Sequence, residues 1–278
     1  VFVTVGHLNQ ARSLIVEPGD REVSCSYNLQ AAVLARRSMA TETAFDYLKK
    51  AMTFLPEDRW ESRYEVSLDV YTEAVRTAQL NHDLEGMNTY ADEVLNNCRD
   101  VIDQMPIYEA RIEYNKSRST LPEAVDTCLE ALALLKVKPP RKPNNFHIIK
   151  AIIKARFRLY WRGIDGLKKL PPMSDPKAIA IMRLIRTAGT AVYMSEPNLI
   201  PVLAALTMEQ TLKHGACADA TVGLCGFGFI TMGPLGKPVE GYQIADWSRR
   251  LPAHFGDPAA EVPGQVMLYC LSLMEHMP

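Results

Sequence analysis

The chain has 278 residues, of which 47% are apolar and 23% charged, and its 31 basic and 32 acidic residues give a formal net charge of −1. This composition is typical of a globular protein that buries a core, and it excludes a disordered tail, a collagen-like rod and a small disulfide scaffold. The near-zero net charge also argues against a protein that coats nucleic acid over its whole surface.

Apolar residues recur at helical spacing along the chain, and no segment alternates as a strand beside a hairpin dipeptide, so we predict an all-α protein. Residues 120–123 have capping-box spacing, Asp175 and Asp257 each precede a proline as helix N-caps, and Gly215 marks a helix end. The predicted helices cover residues 2–15, 21–38, 41–54, 58–80, 84–98, 102–118, 121–136, 145–162, 176–194, 198–213, 217–232, 238–251 and 259–276.

Some of these helices repeat one pattern, in which small or apolar residues are separated by four and then three positions. The groups are Ala44, Leu48 and Ala51; Met87, Ala91 and Val94; Ala124, Cys128 and Ala131; and a degenerate copy at Gly241, Ala245 and Ser248. Small residues at this spacing let two helices approach closely, as in tetratricopeptide repeats. We therefore predict an α-solenoid of TPR-like antiparallel helix pairs, with a generic helical bundle as the alternative.

A proline-rich loop at residues 139–143 divides the predicted solenoid. We place a first helical array at residues 1–137 and a second at 138–278, continuous with the first. The chain begins at Val1 without a methionine, which suggests a fragment excised from a longer protein.

Several stretches resemble the helical-repeat region that follows the AAA/STAND-type ATPase domain in large multidomain signalling proteins. These stretches are residues 7–10 (HLNQ), 28–32 (NLQAA), 44–48 (AFDYL), 55–60 (LPEDRW), 64–65 (YE), 121–124 (LPEA), 175–178 (DPKA) and 198–201 (NLIP). Such proteins also carry a serine/threonine-kinase-like domain, a GAF domain and a sensor histidine kinase. The resemblance implies a module between a nucleotide switch and an output kinase, and it carries over no catalytic residue.

Motifs for catalysis and metal binding are missing from the sequence. There is no P-loop, kinase motif set, GxSxG elbow or HExxH, and the six histidines are isolated, so we expect no catalytic residue, cofactor or metal. The glycine-rich run at residues 220–236 reads as a buried helix in close contact with a neighbour rather than a phosphate loop or a membrane span. The scattered cysteines predict free thiols in a reducing, cytoplasmic location.

One segment departs from the even charge distribution. Residues 136–169 hold eleven Lys or Arg and one acid, Asp165, which gives +10 and leaves −11 for the rest. Lys150, Lys154 and Arg158 follow one another at intervals of four on one helix face. The isoleucines and aromatic residues of this helix are predicted to pack inward, and the three tryptophans of the chain to fill gaps between helices: Ile149, Ile152, Ile153, Phe157, Tyr160 and Trp161, with Trp60 and Trp247.

The basic face has three interpretations: a solvated surface that balances acidic helices, a docking surface for an acidic partner domain, or a surface for nucleic acid or anionic lipid. We predict a non-catalytic interaction module that binds a protein, a peptide or neighbouring domains of its own polypeptide, with Lys150, Lys154 and Arg158 as the docking residues. Nucleic acid is not the favoured partner, because the basic face carries few aromatic residues. The alternatives are an all-α enzyme with an unrecognised small-molecule pocket and a nucleic-acid-binding helical array.

Overall fold

A computed structural model describes residues 1–256, and within this range the regular structure is helical, without a strand. The predicted all-α class is confirmed. The helices are α1 (Phe2–Gln10), α2 (Pro18–Arg37), α3 (Thr41–Phe54), α4 (Arg59–Ser62), α5 (Tyr64–Leu80), α6 (Leu84–Asn97), α7 (Met105–Ser117), α8 (Leu121–Leu134), α9 (Asn145–Lys168), α10 (Pro176–Ser195), α11 (Ile200–His214), α12 (Thr221–Met232), α13 (Pro238–Ser248) and α14 (Leu251–Phe255).

The chain forms two compact units, Val1–Tyr114 and Asn115–Pro278. The division falls inside α7, upstream of the proline-rich loop that marks the predicted boundary between residues 137 and 138. That boundary concerns two repeat arrays and stays a prediction.

In the first unit, α2 packs against α3, α5 packs against α6, and α3 also contacts α5. The small residues of the repeat pattern lie in these contacts. Ala44, Leu48, Ala51 and Ala91 are completely buried, and the methyl-sized side chains of the three alanines let the neighbouring helix come close. The predicted burial of these positions is therefore confirmed, whereas their arrangement in a TPR-like array remains an expectation.

In the second unit, α8 packs against α10, α9 against α11, and α12 against both α11 and α13. Helix α12 covers residues 221–232 of the glycine-rich run, and two glycines lie at a close approach to α13. A Cβ atom on Gly228 would lie 2.8 Å from the carbonyl oxygen of Gly241, and one on Gly241 would lie 2.5 Å from that of Gly228. The part of the run at residues 221–232 is a helix in close contact with a neighbour, as predicted, whereas residues 233–236 are an exposed turn.

The helix-end signals at Asp175 and Gly215 are confirmed, whereas other predicted helix ends differ from the structure. Asp175 caps α10 by accepting hydrogen bonds from the amides of Lys177 and Ala178, and α11 ends directly before Gly215. Thr120 makes no side-chain cap, because its hydroxyl donates instead to the carbonyl of Asn115. The helix predicted at 58–80 is divided into α4 and α5, because Arg63 leaves the helical conformation.

The described cysteines are free thiols, and burial changes their chemistry. Cys25, Cys128 and Cys225 are buried, while Cys98 and Cys217 are half-buried. Burial raises the pKa of Cys25 and Cys128 to about 12 and that of Cys217 to about 11, since a low-dielectric surrounding disfavours the thiolate. The helix predicted at 259–276, the cap at Asp257 and the thiol of Cys270 lie outside the described residues.

Candidate docking surface on helix α9

Helix α9 begins and ends at well-defined local structures. Asn144 follows a buried proline and accepts a hydrogen bond from the amide of His147 at 3.1 Å, while the amide of Asn144 donates back to His147 Nδ1 at 3.4 Å. This reciprocal cap satisfies two backbone amides that would otherwise lack partners. The helix is interrupted at Gly163, whose φ of 72° and ψ of 164° are open to glycine. A straight helix therefore runs from Asn145 to Arg162.

The inner face of α9 is made largely of small and branched side chains. Ala155 and Leu159 are buried in a core that they share with Met208 of α11 and Leu224 of α12. Ala151 and Ile152 lie beside them, half-buried. Small residues at these positions explain the close packing of α9 on α11.

An ion pair fixes the border of the inner face. Arg156 donates two hydrogen bonds to the carboxylate of Glu240 on α13, at 2.6 and 3.0 Å. Hydrogen bonding and the charge of Arg156 lower the pKa of Glu240 against the opposing effect of desolvation. The bidentate contact connects α9 with α13 and fixes the rotation of α9 about its axis.

The opposite side of α9 carries a stripe of large apolar side chains in solvent. Five of its members recur at intervals of three, four, four and three residues, so they lie on one face, and an adjacent tryptophan widens it. Their exposed fractions are Phe146 69%, Ile149 55%, Ile153 61%, Phe157 63%, Tyr160 78% and Trp161 74%. We call these six side chains the α9 outer face.

The outer face overturns part of the prediction from the sequence. Ile149, Ile153, Phe157, Tyr160 and Trp161 were predicted to pack inward, and they point away from the core. The prediction was wrong because α9 has apolar residues on two sides, and the narrower stripe of Ala151, Ala155 and Leu159 is the one that fits against α11. Of the other two tryptophans, Trp60 and Trp247 pack partly buried against core clusters, as predicted.

The outer face is comparable in area to the largest apolar patch of a typical monomer. An aromatic side chain carries roughly 150–250 Å² of surface. Four of the six residues are aromatic and more than three-fifths exposed, so the aromatic rings alone present about 400 Å² or more. The largest apolar patch of a typical monomer is about 300–600 Å² and is often functional.

Basic side chains border the outer face along one edge. The structure leaves Lys150, Lys154 and Arg158 exposed, and we call these three residues the basic edge. Lys154 Nζ lies 2.6 Å from a carboxylate oxygen of Glu209, whose side chain is 11% exposed, so part of its charge is compensated within the unit. Within residues 1–256 no ion pair is assigned to Lys150 or Arg158. A docking role for the basic edge stays a prediction.

The outer face and the basic edge adjoin near Arg162, at the end of the uninterrupted part of α9. A hollow of about 310 Å³ is lined by Phe157 and Trp161 of the outer face and by Arg158 of the basic edge, with Arg162 and Leu212. The edge of Trp161 contacts both Phe157 and Tyr160, with ring centroids 6.1 Å apart. Such a hollow can accept an apolar side chain while a guanidinium group binds a nearby carboxylate.

A second cavity, of about 320 Å³, lies in the first unit between α2 and α5. It is the candidate location for a small-molecule site. Within its lining, Arg63 pairs with Glu22 at 3.2 Å, and Arg21 donates to the carbonyl of Thr53. The raised pKa of Cys25 keeps its thiol protonated, so it is a poor nucleophile. The cavity is lined by the Cys25 thiol and by the carboxylates of Glu22 and Asp58, and the charge of Glu22 adds to the rise in the pKa of Cys25.

The described residues form neither a metal-binding cluster nor a membrane-spanning helix. No three His, Cys, Asp or Glu side chains in residues 1–256 come together as potential metal ligands. None of the helices in the same range has the length and hydropathy that a membrane crossing requires.

A comparison with protein-family models, with curated proteins and with solved structures found no significant match. The resemblance to the repeat region of multidomain signalling proteins therefore rests on the sequence motifs alone.

Proposed function

We propose that the chain is a non-catalytic interaction and regulatory module that docks a protein segment on the α9 outer face. The observation that carries this proposal is the row of six exposed apolar side chains, bordered by the basic edge, on a helix whose other side is anchored in a core. Covering large apolar side chains lowers the free energy by about 25 cal/mol for each Å² removed from water.

The chemistry of the surface defines the segment that it would bind. Spacings of three and four residues along α9 match the side chains of a second helix laid against it, as in helix-in-groove recognition. The basic edge would attract carboxylates on that helix and so fix its direction and register. An amphipathic helix with an acidic flank meets both requirements.

The architecture supports the proposal in a second way. The small residues at the recurring positions are buried, as TPR-like helix pairs require, and helical-repeat proteins commonly serve as binding scaffolds. We extend the proposal to a TPR-like array within a multidomain signalling ATPase or kinase, and this extension depends on the sequence resemblance.

The test compares two substitutions of exposed apolar residues in the second unit. Proteins bound to the full chain in its natural cell are crosslinked and identified, and the binding of each candidate is then measured with purified components. Ile153→Asp should weaken binding by about tenfold or more, because it places a charge in the middle of the apolar contact. Tyr193→Asp is the control, since Tyr193 on α10 is also 71% exposed but lies off the outer face.

The two variants separate a specific surface from general stickiness. Equal affinities of wild type, Ile153→Asp and Tyr193→Asp for every purified partner would contradict the proposal. A loss confined to Ile153→Asp, with unchanged circular dichroism, would support it.

A further inference from the structure

Within residues 1–256 no element covers the outer face. The remaining 22 residues have the acidic and apolar composition expected of a segment that could cover it. Residues 257–278 contain Asp257, Glu261 and Glu275 and neither Lys nor Arg, so their charge is −3. Eight of the nine residues from 266 to 274 are apolar, with Ser272 as the exception. A sequence this apolar needs a surface on which to bury its side chains.

The charges of the two segments are opposite. Helix α9 carries six Lys or Arg and one acid, Asp165, which gives +5 over Asn145–Lys168. Four of those six are Lys150 and Arg158 of the basic edge together with Arg162 and Lys168, for which the structure assigns no carboxylate within residues 1–256. Binding of an acidic segment would therefore compensate charges that this part of the chain leaves unbalanced.

The length of residues 257–278 and the position at which they begin also agree with binding to the outer face. From Phe146 to Tyr160 the outer face is about 21 Å long at 1.5 Å per residue, and a helix over residues 259–276 would be about 27 Å long. The segment starts next to Phe255, which packs against the same core as Ala155 and Leu159 of α9.

We propose that residues 257–278 are the occupant of the α9 outer face, with the apolar side chains of 266–274 against Ile153 and Phe157 and the carboxylates toward the basic edge. This inference builds on the proposed function, because it names a protein segment for the same surface. An outside partner with the same chemistry would compete with this segment, so docking in trans would require its displacement.

The test uses the full chain and its own Cys270, the single cysteine of residues 257–278. The two half-buried thiols, Cys98 and Cys217, are replaced by serine, and Cys25, Cys128 and Cys225 are buried away from the reagent. A short bismaleimide then reports whether Cys270 lies beside a second cysteine introduced as Tyr160→Cys. Tyr193→Cys serves as the matched control, because both tyrosines are exposed and belong to the second unit.

We expect an intramolecular crosslink between positions 160 and 270, with a yield about tenfold above that between 193 and 270. Lys150→Glu combined with Arg158→Glu should reduce the yield several-fold, and so should high salt. Equal yields at 160 and 193, or no crosslink at 160, would overturn the proposal. Crosslinks only between two molecules would overturn it in favour of a second copy, and protection of position 160 only by anionic vesicles would overturn it in favour of a membrane.

The outcome separates this inference from the function on which it builds. A missing 160–270 crosslink, together with a partner whose binding is lost in Ile153→Asp, would remove the inference and leave the proposed function in place. A strong 160–270 crosslink with no partner sensitive to Ile153→Asp would keep the inference and remove docking in trans.

Discussion

Glycine at single positions determines how closely the helices of the second unit approach. At Gly228 a methyl group would lie 2.8 Å from the carbonyl oxygen of Gly241 and 3.0 Å from Ala245 Cβ. At Gly226, on the same helix, the nearest atom to a new Cβ would be Ala204 Cβ at an ordinary 3.7 Å. Gly228 is therefore needed for the close approach of α12 and α13, whereas Gly226 has room for a methyl group, although both lie in one apolar run of the sequence.

We expect Gly228→Ala to lower the free energy of unfolding by about 1–3 kcal/mol, because backbone atoms of α13 would have to move. Gly226→Ala should be neutral or raise it by up to about 1 kcal/mol, since alanine favours the helix. Urea denaturation followed by circular dichroism measures both. Equal destabilisation by the two substitutions would show that α12 and α13 do not meet at Gly228.

In helix α9 the sequence predicts where the helix begins, whereas tertiary packing determines which face is buried. Its start is readable, because Asn144 is a strong capping residue after a proline. Its orientation is not readable, because Ala151, Ala155 and Leu159 form one apolar stripe and the larger isoleucine and aromatic residues form another. The prediction placed the larger stripe in the core, whereas the fit against α11 selects the smaller one.

One polar residue in the sequence, Arg156, indicates the correct orientation of α9, but the sequence does not identify its partner. Arg156 borders the inner face and needs an acceptor, which Glu240 supplies from a helix more than eighty positions later. Nothing in the spacing of the sequence connects these two residues. Exposure of the candidate residues Lys150, Lys154 and Arg158 agrees with their predicted place on a solvent face, whereas the pairing of Lys154 with Glu209 depends on tertiary contact.

The ion pair between α9 and α13 makes stability depend on pH. Because Arg156 lowers the pKa of Glu240 in the folded state, the pair stabilises the protein above the ordinary glutamate pKa of about 4.3. This contribution is lost as the pH falls through the lower, folded pKa. Glu240→Gln should therefore cost about 1 kcal/mol at pH 7 and progressively less below pH 4 or so.

Urea denaturation of wild type and Glu240→Gln at several pH values measures this difference. Glu57→Gln is the control, since Glu57 is an exposed loop residue with no assigned ion pair within the described part of the chain. A difference between wild type and Glu240→Gln that stays constant from pH 7 to pH 3 would contradict the assigned pairing.

At the scale of the whole molecule, near-neutrality conceals a strong separation of charge. The +10 of residues 136–169 opposes −11 elsewhere, and the structure shows that α9, within this basic segment, also carries a broad exposed apolar surface. The sequence predicted the all-α class, the buried small residues and the basic face. It did not reveal the apolar outer face, on which the proposed docking of a protein segment is based.

The central claim is that polypeptide covers the α9 outer face. Its most direct measurement places a photoreactive amino acid in turn at each position from 146 to 161 of the full chain in its natural cell. We predict that crosslinks to polypeptide, whether residues 257–278 or a partner, peak at Phe146, Ile149, Ile153, Phe157 and Tyr160. Yields that are uniform along α9, or that show no rise at these five positions, would contradict the account.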